Sequence, residues 1–569
     1  MTSCKETRRK QAAIGRVNTI SQKLEYSDRL VLNDILNYNQ LMLSEEKWAP
    51  FFDKGCFMMA VGKAATSDGS VMVARSCDAL GDFAQKLLAV PRKEHGPGET
   101  LKFKSLGVEI SQVRETYSYV SVMAVRDDLH LEANGGINEF QVSAGASSGG
   151  AINKRAERVS PSISTSLGDF RMTLVLERCK TAREGIKLIG ELTERYGART
   201  DNYIVADPNE VWLYEEYLSH LWVAAKLPDD CFVVEANTSR IGEVDLDDPS
   251  RFLSCSDLAS FAAKNGLYDP KSGKPLNVAE AFGSQIGKML DGVPTPNFDR
   301  RRIWRAISLL APSKNLNPEE PRGFPLFVKP DHKLTPKDLL SVFTDHYEGT
   351  EYDTYGMNKK KYRPMSLVPK NSCNPTKGQD LPELCVDENM QYQLAPVWGK
   401  ERILGVPAAV TTWCAQLRSW LPNPIGGLLW TGLGEGATCG HIPIYAGITR
   451  TPEGYAIADS VYDDQSAYWN FRAVSNLVNL FYTATAGDVI PVWRAWESKL
   501  YELQPIIERN AMELYQKNPG QSIDYITTYS CDKAREALEI AKIMIAKLHT
   551  IIAHYDTPLP TSSRRFTQQ

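Results

Sequence analysis

The sequence predicts an α+β protein, on three observations. Short apolar runs bounded by turn residues crowd residues 56–245 and return over 400–462. Helical patterns with capping signals lie between these two blocks. The stretch 487–553 reads as helix, with a break at Asn518-Pro519-Gly520.

Taken in order, strands are expected at 57–62, 70–75, 117–124, 140–146, 203–206, 211–215, 221–225 and 231–236. Asp207-Pro208-Asn209 supplies the turn of one hairpin, between alternating apolar runs. Residues 168–197 carry Leu174, Ile186, Ile189 and Leu192 at helical intervals and stop at Gly197, a C-cap residue. Further helices are expected at 250–265, 276–290, 300–311 and 335–346. The last opens on Thr335-Pro336, a capping residue followed by a proline suited to the first turn. Segments 312–332 and 360–390 read as loops, and strands resume at 406–412, 426–431 and 442–447. The domain boundaries that follow are a leader at 1–55, a main domain at 56–485, a helical region at 486–556 and a tail at 557–569. Within the leader, 28–44 has apolar residues at helical spacing, which suits a small packed helix or a propeptide.

Composition excludes several function classes. A net charge of −4 gives no footprint for nucleic acid. No apolar run reaches the roughly 18 residues of a membrane span. The first 55 residues are charged throughout and lack a signal core, so a cytoplasmic location is expected. The 11 cysteines form no CxxC pair and read as mostly reduced and buried. The histidines show no ligand spacing, so neither a metal nor another cofactor is expected.

Cys56 is the residue that carries chemistry. Lys54-Gly55-Cys56 opens an apolar run, Ser67-Asp68-Gly69-Ser70 turns, and the returning run ends in Arg75-Ser76-Cys77-Asp78. A small residue before Cys and a hairpin ending in Arg-x-x-Asp suggest a nucleophile that works as a chain terminus. Once the bond from Gly55 is cut, one residue holds both an α-amine, titrating at about 7.7–8.0, and a thiol, near 8.5. The amine then accepts the thiol's proton without a histidine.

The chain resembles the family C69 dipeptidases and the related secernins, within the N-terminal nucleophile hydrolases. Several segments carry the resemblance: Ala74-Arg75-Ser76-Cys77-Asp78, Gly136-Ile137-Asn138-Glu139-Phe140, Glu235-Ala236-Asn237-Thr238-Ser239-Arg240, Asp345-His346-Tyr347-Glu348-Gly349-Thr350 and Trp420-Leu421-Pro422-Asn423-Pro424. It spans about residues 55–485. It implies a four-layer αββα sandwich with additional C-terminal helices, and removal of everything before Cys56. It implies hydrolysis of short peptides by acyl transfer to Cys56 and then to water. Arg75 would favour the thiolate, Asp78 would hold the α-ammonium, and Asn237 would donate to the oxyanion. Arg302, with Arg301 as the other register, would be a late site arginine. Asn138 and Ser148 would face the substrate, Ser148 as a second oxyanion donor. Direct catalytic roles for His346 and for a Cys439/His441 pair are weak alternatives, and Cys77 reads as an inert buried thiol.

Two departures from the family pattern stand out. Gln141 replaces a glycine, a strain if the turn needs positive φ. Ser76 replaces an asparagine. Three readings stay open at this stage: a dipeptidase, an amidase or acylase of the same mechanism, and a non-catalytic secernin-like protein. The expected partner is a short peptide, and a homo-oligomer is compatible with the C-terminal helices.

Overall fold

The computed structural model describes residues 55–79, 83–125, 131–150, 152–159, 166–197, 200–283, 289–290, 293–294, 298–320, 323–353 and 402–556. The chain divides into two compact units, Met1–Asp53 and Lys54–Gln569. The first, with the expected 28–44 helix, lies outside the described residues, as do the 360–390 loop and the 557–569 tail.

The second unit mixes helix and sheet. The strands of its two large sheets are β1 (Gly55–Val61), β2 (Val71–Asp78), β3 (Gln85–Val90), β4 (Tyr119–Val125), β5 (Leu131–Asn138), β6 (Ser143–Ser148), β7 (Asp201–Ala206), β8 (Val211–Tyr217), β9 (Leu221–Lys226), β10 (Phe232–Glu235), β11 (Phe252–Ser254), β12 (Phe327–Val328), β13 (Ala409–Leu417), β14 (Leu428–Gly432) and β15 (Ile442–Tyr445). One sheet has the order β12-β10-β1-β2-β13-β14-β15, the other β11-β9-β8-β7-β6-β5-β4-β3. Their strand pairs are antiparallel. The first sheet lays β1 and β2 against β6 of the second, so the most buried strands of both line one core. Every residue of β1, β2 and β13 is buried.

Helices α1 (Phe170–Arg178) and α2 (Ala182–Tyr196) pack on the second sheet. They replace the single helix expected over 168–197. Thr181 caps α2 by accepting from the Glu184 N–H, which forces the break at Cys179-Lys180-Thr181. The longer helices that follow are α3 (Leu258–Lys264), α4 (Phe298–Leu310), α5 (Pro336–Val342), α6 (Ala467–Leu480), α7 (Tyr482–Lys517) and α8 (Pro519–Asp556). Thr335 and Asp338 form a reciprocal capping box at α5. The expected 250–265 helix is shorter, because Phe252–Ser254 instead pairs with β9. No helix among the described residues is long and apolar enough to cross a membrane.

The turn between β5 and β6 does require positive φ. Gln141 takes φ of +62°. Its side chain compensates with hydrogen bonds across to the other sheet: Nε2 donates to the Arg418 carbonyl at 3.1 Å and to Asn423 at 3.0 Å, and Oε1 accepts from the Arg418 N–H at 2.8 Å.

Candidate active site

Cys56 stands where β1 loses its neighbour on one side. Pairing of β1 with β10 runs from Val61↔Phe232 to Met58↔Glu235 and stops. Asn237 then turns the chain with φ of +57°, a conformation asparagine tolerates better than most residues. Side chains take over the backbone groups of Cys56 on that side. Its N–H donates to Asn237 Oδ1 at 3.3 Å, and its carbonyl accepts from Arg302 Nη1 at 3.1 Å. On the other side, β2 sets Cys77 directly opposite Cys56. Both backbone groups of Cys56 point away from β2, so this is a non-hydrogen-bonded pair, the kind that brings side chains closest.

Arg75 reaches the Cys56 thiol diagonally, with Nη2 3.1 Å from Sγ. It is fully buried and anchored on the second sheet by Asn134. Asn134 is the extra residue of a β-bulge. The register shifts from Val122↔Gly135 to Met123↔Ala133 and leaves it unpaired. Its carbonyl accepts from Arg75 Nη1 and, at 3.1 Å, from Trp413 Nε1, while its Oδ1 lies 3.2 Å from Arg75 Nη1. Gly135 makes the bulge possible: its φ is +134°, and a Cβ there would overlap the Trp413 ring.

These neighbours tune the thiol. The Cys77 thiol, which faces Cys56 across the strand pair and lies 3.6 Å from Asn134 Oδ1, lowers the Cys56 thiol as a neighbouring donor, and Arg75 adds its positive charge. Together they outweigh burial and bring the Cys56 thiol down to about 7. The neighbouring Cys56 sulfur, together with burial, pushes Cys77 well up. Cys77 thus holds its proton more firmly than Cys56. Asp169 also faces this group, its carboxylate 3.6 Å from Arg75 Nη2.

A buried ion cluster lies behind Cys56. Arg402 pairs with Asp78, approaches Asp299 at 3.6 Å and donates to Asn237 Oδ1 at 3.3 Å. Arg302 pairs with Asp299 and donates to Asn237 Oδ1 at 2.8 Å. Asp78 also accepts from Ser76 Oγ at 3.2 Å, so the serine standing for asparagine still bonds to this carboxylate. Gly55 is small for a physical reason: a Cβ there would collide with the Arg402 guanidinium.

The structure thus gathers Cys56, Arg75, Asp78, Asn237 and Arg302 in one place. It separates the adjacent arginines. Arg302 turns to Cys56, whereas Arg301 reaches Glu319 and stacks on Tyr352, 3.7 Å from the ring centre. Several details differ from expectation. In the uncut chain the Cys56 nitrogen contacts Asn237, while the carboxylate of Asp78 goes to Arg402 and Ser76. Asn237 uses one amide hydrogen on the Ser148 carbonyl at 2.5 Å, so Ser148 enters through its backbone, as an acceptor. Asn138 is outside the cluster. It is fully buried and brackets its turn, donating to Leu176 and Cys179 carbonyls and accepting from the N–H groups of Phe140 and Val142. His346 is buried against Glu348 and Tyr482. His441 contacts Thr412 and Glu497 rather than Cys439, whose thiol burial raises to about 12.

Arg402, Asn134 and Asp169 escaped the sequence reading. Only the glycine before Cys56 hinted at a large neighbour, and nothing local identified it.

Comparison with known proteins adds the family. The model of peptidase family C69 matches residues 55–495. A probable dipeptidase of Latilactobacillus sakei is 29% identical over 505 residues, 87% of this chain and 95% of its own. Probable dipeptidase B of Streptococcus pyogenes serotype M1 is 24% identical, over 87% of this chain and 92% of its own. A solved mutant of the conjugated bile acid hydrolase from Clostridium perfringens matches at 15% identity and a TM-score of 0.26, over 48% of this chain and 75% of its own. The match that begins at Gly55, one residue before the buried cysteine, and covers most of the chain leaves one conclusion: the protein belongs to peptidase family C69.

Proposed function

We propose that the protein is a cysteine-type dipeptidase whose nucleophile is Cys56, freed as a chain terminus by removal of residues 1–55. In this reading residues 56–485 form a four-layer αββα sandwich of the N-terminal nucleophile hydrolases, extended by helices over 486–556. The observation that carries it is the environment of the Gly55–Cys56 bond. The bond sits where the sheet opens, with a lowered thiol on one side and a glycine enforced by Arg402 on the other. Relatives named as probable dipeptidases align along 87% of the chain.

The chemistry runs in two stages. In maturation, the Cys56 thiolate attacks the Gly55 carbonyl. The C–N bond breaks, the α-amine takes a proton, and water hydrolyses the thioester to release the leader as a carboxylate. In turnover, the α-amine accepts the thiol proton as sulfur attacks the substrate carbonyl, then gives it to the leaving amine. Water cleaves the acyl-enzyme and restores the thiol. Arg75 stabilises the thiolate. Asn237 offers its second amide hydrogen to the oxyanion, and Arg302 and Arg402 hold the asparagine in that orientation. Asp78 receives the new ammonium once the leader has gone.

The direct test is the mature terminus. Intact mass should give a chain starting at Cys56 that hydrolyses dipeptides. A full-length chain without dipeptide hydrolysis would sink the proposal. A pH test follows from the thiol. Thiolate is the attacking form, so leader release should quicken as pH rises through about 7 and level off above it. Cys77→Ala removes the neighbouring thiol that lowers Cys56 and should move that inflection upward. An unmoved inflection in a mass-spectrometric time course would exclude the role given to Cys77.

A further inference from the structure

Asp169 stands at the head of α1 as its N-cap residue, yet its side chain makes no capping hydrogen bond. The carboxylate turns instead toward the nucleophile. Arg75 Nη2 lies 3.1 Å from the Cys56 sulfur and 3.6 Å from the Asp169 carboxylate. Sulfur and carboxylate are thus separated by one guanidinium nitrogen. The 3.6 Å contact is too long for a hydrogen bond, and Arg75 spends its shorter contacts on Cys56 and Asn134.

Exposure distinguishes Asp169 from the other carboxylates near Cys56. Its side chain is 24% exposed, against 2% for Asp78 and 2% for Asp299, both paired with Arg402. Among the described residues, Arg75 is the only cation paired with Asp169. The site therefore presents a negative charge with spare acceptor capacity, open to solvent, beside the attacking sulfur.

We propose that Asp169 binds the free α-ammonium group of the substrate's first residue and so selects peptides with an unblocked amino terminus. The inference rests on the dipeptidase reading and names what that reading requires. In a dipeptide the ammonium nitrogen lies only two bonds from the attacked carbonyl carbon, about 1.46 and 1.52 Å long. When that carbon reaches the Cys56 sulfur, the nitrogen comes within a charge-assisted hydrogen bond of a carboxylate placed as Asp169 is. An N-acylated substrate brings an amide there instead. It loses the ion pair and leaves the carboxylate with a weaker donor. Because Arg75 is held by Asn134 as well, the thiolate keeps its cation when Asp169 turns to substrate.

The test compares alanyl-alanine with N-acetyl-alanyl-alanine on matured enzyme. The native protein should favour the free dipeptide in kcat/KM by on the order of 10- to 100-fold, the range of a hydrogen bond to a charged group. Asp169→Asn should erase most of that ratio, and Asp169→Glu should keep part of it. A change that acted only through Arg75 or the fold would lower both substrates together and leave the ratio unchanged, which would overturn the assignment. So would a native enzyme that favours the free dipeptide while Asp169→Asn keeps the full preference; that result leaves the dipeptidase reading intact. A native enzyme that cleaves the acetylated compound but not alanyl-alanine would sink that reading and this inference with it.

Discussion

Replacing Cys56 by alanine should leave Gly55–Cys56 uncut and lower dipeptide hydrolysis by roughly four orders of magnitude or more. The size follows from two losses at one position. Without sulfur there is no acyl acceptor for maturation, so the α-amine stays locked in a peptide bond and cannot serve as base. Without sulfur there is also no covalent intermediate in turnover. The fold should survive, because Cys56 contributes a small buried group whose backbone is held by Asn237 and Arg302. Cys56→Ser should likewise fold and lose most turnover, since a hydroxyl is a far weaker nucleophile near neutral pH. Intact mass, hydrolysis rate and a urea unfolding midpoint measured together give the answer. Native-like hydrolysis by either variant would remove Cys56 from the mechanism.

Arg402→Met should have the second largest effect, and here it falls on stability as well as on maturation. Arg402 is buried between Asp78 and Asp299 and also holds Asn237. Removing one partner of such a cluster leaves carboxylate charge without compensation, at a cost of about 3–5 kcal/mol. It also removes one of the two guanidinium donors on the asparagine that bonds to the Cys56 nitrogen. We expect a lower urea midpoint and slow or absent leader release. Gly55→Ala should slow release too, with a smaller stability loss, because its Cβ meets the same guanidinium. In the Arg402→Met background that alanine should cost little more, since the atoms it would strike are gone. Additive effects in the double variant would show that the two residues do not act on each other.

Much of the fold was readable from local pattern. Apolar runs separated by turn residues located the strands from β1 to β10 with the exception of β3 and β5, and Thr335-Pro336 located the start of α5. The failures have local causes. Leu131–Asn138 reads Leu-Glu-Ala-Asn-Gly-Gly-Ile-Asn, a strand that carries two glycines and a bulge and lacks an apolar run. The break between α1 and α2 depends on a capping threonine inside an otherwise helical pattern. Phe252–Ser254 became an edge strand through pairing with β9, which outweighs local preference.

For the site, residue identity and spacing along the first hairpin were enough to single out Cys56 with Arg75 and Asp78, because neighbouring antiparallel strands bring their ends together by geometry alone. The resemblance to a known family added Asn237 and Arg302. Arg402, Asn134 and Asp169 could not be found that way. They come from three separate parts of the chain, and what selects them is a bulge, a helix start and a buried charge balance that exist only once the sheets have packed. The choice of Arg302 over Arg301 has the same origin. Three arginines in a row are chemically alike, and only the turn of α4 against β10 decides which one points at Cys56.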